Sequence, residues 1–463
     1  MHSRSALEAN RRALIVSLSV LAFLSIVTNL CSSQTFGTTG SFANTNGASP
    51  YYEALAQGTD GNLYGTVEGG GASSYGLVFN TAVGGGIGTV LTFNGTNGGH
   101  PYSGLALGTD GYFYGTTTYG GSSSVGTVFS TGVGTLHSFN VTDGSDANGT
   151  LVLGSDGSFY GTTTYGGTLG GYGTVFKITS TGTLTTLHVF SGTDGAYPYA
   201  GLIQGTDGNF YGTTSQHGSG LYGTVFKITS SGTLTTLHNF TGGSDGANPY
   251  AALVQGVDGN FYGCTESGGT LGFGTVFKIT SSGTLTTLHS FAGGSDGLYP
   301  YAALIQGTDG NFYGTTSSGG NSSNSGIIFK MTTAGATTNL HSFSGSDGKI
   351  PYGGLVQDTN GTFFGTTTQG GAYGYGTIFS LSTGLGAFVK TVPTSGSVGS
   401  SVLVLGTNLT GATKVTFNGT SATFTVLSSS EIKTTVPAGA TTGTVKVTTP
   451  GGTLSSNVAF TVH

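Results

Sequence analysis

Gly307-Thr308-Asp309-Gly310-Asn311-Phe312-Tyr313-Gly314-Thr315-Thr316 decides the fold. Asp-Gly between apolar runs is a strong hairpin signal, because glycine takes positive φ at no steric cost. The turn joins a strand over 302–306 (strand a) to one over 311–316 (strand b). Strand c follows over 326–331, and a turn at Ala334-Gly335 leads to strand d over 337–343. No segment carries a helical spacing of apolar residues.

The phrase recurs with its Asp, once Asn, at Asp60, Asp110, Asp156, Asp207, Asp258, Asp309 and Asn360. Gly-Thr-Val-Phe-Lys-Ile-Thr begins at Gly173, Gly223 and Gly274. Leu-His-x-Phe places His137, His188, His238, His289 and His341. A Pro-Tyr pair opens six units, at Pro50, Pro101, Pro198, Pro249, Pro300 and Pro351, and the short third unit lacks it. Seven units of four strands predict an all-β protein with a seven-bladed β-propeller over 34–386. The alternative is a β-solenoid with two coils per unit, which would not need paired hairpin turns. The seventh unit has no Leu-His-x-Phe of its own. Gln34-Thr-Phe-Gly-Thr-Thr-Gly-Ser-Phe42 aligns with Gly283-Thr-Leu-Thr-Thr-Leu-His-Ser-Phe291, so 35–42 is expected to supply the last blade's outer strand and close the ring.

The Asp-Gly-Asn-Phe-Tyr-Gly-Thr-Thr, Gly-Thr-Val-Phe-Lys-Ile and Leu-His-x-Phe phrases, with a Gly-Gly pair in the b–c loop, resemble the GloVer tandem repeat of bacterial exported proteins over about 43–386. The resemblance implies an exported protein, often held at the cell surface by varied C-terminal anchors, with no known activity. No such anchor is expected here. Over 387–463, apolar alternation and regular turns predict a small antiparallel sandwich. That segment resembles the IPT/TIG immunoglobulin-like domain, a spacer or accessory interaction module in exported bacterial proteins.

Composition excludes other classes. Of 463 residues, 89 are Gly and 6% are charged, against about 25% charged in ordinary domains. Glycine has no three-residue period, so collagen is excluded. The net charge of −6 supplies neither charge-rich disorder nor the basic face of a nucleic-acid binder. Residues 1–33 carry Arg4, Arg11 and Arg12, then an apolar run over 13–27, and read as a signal peptide cleaved after Ser33. The alternative is an uncleaved anchor. Cys31 as a lipidation site lacks small residues before it. Cleavage leaves Cys264 as the sole thiol, no disulfide and no membrane span. A secreted or cell-surface monomer is expected.

Residues repeated in every unit are read as structural. The Asp of each Asp-Gly is a turn former; the loop lacks the alternating carboxylates of a Ca²⁺ cage. The histidines of strand d read as structural, and Lys177, Lys227, Lys278 and Lys330 as solvated tips. Positions that break the repeat are the candidates, and they fall on the long d–a and b–c loops. Glu68, Tyr119, Tyr165, Gln216, His217 (in place of a Gly), Glu266 and Gln369 lie after strand b; Asp194, Asp245, Asp296 and Asp347 decorate the d–a loops. Rings that cover sugar faces and carboxylates that accept from hydroxyls suit carbohydrate. Glu68 and Glu266 belong to units 1 and 5, too far apart for a glycosidase pair. No catalytic residue, metal or cofactor is expected. The expected function is non-catalytic binding or scaffolding, directed at an extracellular glycan or cell-surface protein. The alternatives are a propeller glycosidase or lyase acting on extracellular polysaccharide, and loops that vary because nothing selects them.

Overall fold

The computed structural model describes residues 34–51, 54–82 and 84–463; the leader read over 1–33, with Cys31, lies outside them. The described chain is all β apart from one 3-10 turn, Gly294–Asp296. Each unit forms a four-stranded antiparallel sheet in the order a-b-c-d, in propeller-like succession. In unit 6 the strands are Ile305–Gln306, Phe312–Thr316, Ile327–Met331 and Thr337–Ser342. Strand a is shorter than its apolar run. In unit 7, Val356–Gln357, Phe363–Thr367 and Thr377–Ser382 are joined by Thr35–Ser41, which runs antiparallel to Thr377–Ser382 with Phe36 opposite Leu381.

Strand b is buried on both faces because a neighbouring sheet lies on each side. The tyrosine of one strand b packs on the phenylalanine of the next: Tyr160–Phe210 and Tyr211–Phe261 at 3.9 Å, Tyr262–Phe312 at 4.1 Å. The glycine after that tyrosine makes the packing possible. A Cβ on Gly314 would lie 2.7 Å from Leu304 and 2.8 Å from Phe329.

A second joint runs between neighbouring strands a. The side chains of Gln204, Gln255, Gln306 and Gln357 each accept from a backbone N–H in the preceding unit's a–b turn, at Ser155, Thr206, Val257 and Thr308, over 2.9–3.1 Å. Gln57 of unit 1 makes the same contact with Thr359 of unit 7, at 3.2 Å. Phe42, Leu55 and Leu63 share one buried cluster with Val356, Phe364 and Ile378.

The C-terminal segment forms two further four-stranded sheets. Lys390–Val392, Ser401–Leu405, Glu431–Thr435 and Phe424–Val426 make one; Thr420–Ala422, Lys414–Phe417, Val445–Thr449 and Gly452–Ser455 make the other. Val404, Val415, Phe417, Ile432, Val447 and Phe460 form the core with which both sheets pack. This segment lies against the a–b turns of the repeats. Ser430 Oγ donates to the Thr59 carbonyl at 2.6 Å, Lys390 Nζ donates to the Gln357 carbonyl, and Leu405 enters the cluster of Leu107 and Phe113.

Candidate functional site

In every unit the d–a loop forms a bridge with the b–c loop. The pairs are Ala48 with Gly69, Gly99 with Tyr119, Ser145 with Tyr165, Ala196 with Gln216, Ala247 with Ser267, Leu298 with Ser318 and Lys349 with Gln369. These loops therefore share one face, opposite the a–b turns that the C-terminal segment covers.

The next residue of each d–a loop adopts a left-handed backbone. Ser49, His100, Asp146, Tyr197, Asn248, Tyr299 and Ile350 have φ between 51 and 60°. This is rare for a non-glycine residue and, at the six positions other than Asp146, unusual before proline. Main-chain bonds impose it. The N–H of Tyr299, for example, donates to Phe273 of the previous unit, and its carbonyl accepts from Ser317 of its own.

The Pro-Tyr pair then delivers a tyrosine to the head of strand a. These tyrosines touch one another in sequence. Ring centroids are 5.1 Å apart for Tyr199–Tyr250, 5.6 Å for Tyr250–Tyr301, 4.9 Å for Tyr301–Tyr352, 5.1 Å for Tyr352–Tyr51 and 5.2 Å for Tyr51–Tyr102. The six half-buried rings form a collar with one gap, between Tyr102 and Tyr199, where unit 3 places Asn148. Asn148 turns inward and donates to Thr164 Oγ1 at 2.7 Å.

Among the described residues, three carboxylates face this collar. The Tyr102 hydroxyl donates to Glu68 at 2.7 Å, and the Tyr301 hydroxyl donates to Glu266. Asp146 lies at the gap, close enough to act on both Tyr102 and Tyr199. Burial, then the Glu68 hydrogen bond, holds the Tyr102 hydroxyl above its ordinary range, so it stays a donor. Burial also raises Asp146 above the usual carboxylate value. The Tyr165 hydroxyl meets that of Tyr199 at 3.2 Å.

Of the residues singled out in the sequence, Glu68, Glu266 and Tyr165 come together at the collar. The two glutamates hang on tyrosines that are not adjacent in it. Tyr119 lies outside, stacked at 5.9 Å on Tyr75. Gln216 and Gln369 are exposed on the loop bridges. His217 lines an open depression of about 400 Å³ with Tyr172, Ser191, Thr193 and Leu221. The d–a loop aspartates are not brought to the collar. Asp194, Asp245, Asp296 and Asp347 bond His188, His238, His289 and His341 at 2.7–3.0 Å, bracing strand d. Lys177 and Lys330, read as solvated, pair with Asp156 and Asp309 at 2.7 and 2.9 Å. Each turn aspartate also accepts from the tyrosine four residues on, as Asp309 does from Tyr313 at 3.0 Å.

Sequence reasoning missed the collar tyrosines, Asp146 and the left-handed column. The signal lies in the Pro-Tyr pair that opens six units and in the residue before it, which differs in almost every unit.

No curated protein matches the chain. Among solved structures, one similar chain is a structural genomics protein of unknown function from Bacteroides thetaiotaomicron, with 13% identity, TM-score 0.42 and 76% of each chain covered. Another is a protein provisionally described as a gluconolactonase, with 11% identity, TM-score 0.38, and coverage of 76% of this chain and 94% of that one. Likenesses this remote carry no argument about activity. The sequence profile of the Gloeobacter/Verrucomicrobia repeat matches residues 25–220 and 201–427, and the chain belongs to that family.

Proposed function

We propose that this is an exported, non-catalytic binding protein that recognises extracellular carbohydrate through the d–a/b–c face of a closed seven-bladed propeller, with an IPT/TIG-type domain on the opposite face. The observation that carries the reading is the tyrosine collar with Glu68, Asp146 and Glu266 on the uncovered face. Stacked rings cover the apolar faces of sugars, and carboxylates accept from hydroxyls. Ring closure is supported by Thr35–Ser41 beside Thr377–Ser382 and by the Gln57–Thr359 and Tyr51–Tyr352 contacts. The two C-terminal sheets around one core support a sandwich. Export is supported by the residue pattern over 1–33.

The test is a panel of extracellular glycans and cell-surface proteins, scored for both binding and product release. Glycan binding without turnover, weakened at least about tenfold by Tyr250→Ala or Tyr352→Ala, is expected. Turnover abolished by Glu266→Ala overturns the non-catalytic reading in favour of a glycosidase or lyase. Binding to proteins alone overturns the carbohydrate reading.

A further inference from the structure

We propose that the collar takes an organic ammonium group, the protonated amine of an amino-bearing glycan. This rests on the reading of the face as a glycan-binding surface and specifies the sugar. A neutral sugar needs rings and a few hydrogen-bond acceptors. Glu68, Asp146 and Glu266 go further, because they put negative charge around a ring of π faces, and among the described residues none of the three is ion-paired to a lysine or histidine. Six tyrosine rings attract an ammonium through their faces, the more so when half-buried.

The carboxylates are held in place. Tyr102 fixes Glu68 and Tyr301 fixes Glu266, each through a single O–H, so lone pairs remain for N–H donors from a ligand. They are also spread out. Glu68 sits at Tyr102, Asp146 at the gap, and Glu266 within reach of Tyr250, Tyr301 and Tyr352. No three described His, Cys, Asp or Glu gather closely enough to hold a metal ion. That spread suits the diffuse charge of an ammonium group on an apolar sugar ring. Residues 34–386 are acidic overall, with 16 acidic residues against 5 lysines.

The experiment titrates the chain over 34–463 by calorimetry at about pH 5.5, where free sugar amines are protonated. The probes are a glucosamine oligomer with free amines, its N-acetylated counterpart and an oligolysine of equal charge. The free-amine sugar should bind at least about tenfold more tightly than the acetylated one. That difference should collapse in high salt and in Glu68→Gln/Glu266→Gln, which keeps an acceptor for each tyrosine and leaves the circular dichroism spectrum unchanged. Equal affinity for both sugars overturns the ammonium proposal and leaves the glycan reading standing. Binding of neither sugar overturns both. Oligolysine binding without sugar binding overturns the glycan as the bearer of the amine.

Discussion

His217 stands where the other units have Gly70, Gly120, Gly166, Gly268, Gly319 and Gly370, and shares their left-handed backbone, with φ of 62°. At Gly70 a Cβ would come 2.3 Å from the Asn44 carbonyl. An L-residue in this region costs about 1–2 kcal/mol. His217→Gly should therefore raise the denaturant midpoint by about 1 kcal/mol of stability. A simultaneous fall in ligand affinity would identify what the strain serves. Gly314→Ala should have the opposite sign, losing about 1–3 kcal/mol by overpacking against Leu304 and Phe329. Repetition also explains one paired exception. In unit 7 Asn360 replaces the turn aspartate and Phe364 replaces the tyrosine that would bond it, so hydroxyl and carboxylate disappear together.

At the scale of the element, the outer strand d depends on its histidine. Burial alone would raise Asp194, Asp245 and Asp347, but hydrogen bonds from histidine and loop groups outweigh it and hold them below the usual 3.8. Burial lowers His341 below its ordinary 6.5, against the pull of Asp347. The two signs agree. A depressed histidine favours the fold above its unfolded pKa, and that stability is lost as pH falls below about 6.5. The depressed aspartates lose theirs as pH falls below about 4. Thermal unfolding should show both losses, and Asp347→Asn should shrink the acid one. Strand Thr35–Ser41 carries its own test. Phe36 stacks on His341 at 3.5 Å, and Phe42 is fully buried. Phe42→Ala should cost about 3–5 kcal/mol in chemical denaturation. The four-stranded unit was legible because Asp-Gly turns punctuate period-2 apolar runs. The His–Asp pairs were not, because a strand and its following loop show nothing of how the loop folds back. Nor was the collar, whose contacts cross from one unit to the next.

At the scale of the molecule, the covering of the a–b turns by the C-terminal segment carries a titration. Burial lowers Lys390 to about 8, opposed by Asp358, whose own value burial raises. Between about pH 8 and 10.5 the folded lysine is neutral while the unfolded one is charged, so stability should rise with pH across that window. Lys390→Met should abolish the rise, read as the pH slope of the unfolding temperature. No reading of 387–463 alone could place this contact, since apolar alternation reports a sheet's own core and not what lies beneath it.

The left-handed column has an evolutionary consequence. Ser, His, Asp, Tyr, Asn, Tyr and Ile all occupy it, because the same pair of main-chain bonds recurs at every position. Two of its side chains add to that hold, the His100 ring meeting the Glu68 carbonyl at 3.1 Å and the Asn248 amide donating to the Ser215 carbonyl at 3.0 Å. Mutation can therefore change the side chains this face presents, one unit at a time, while the main-chain bonds keep the backbone conformation.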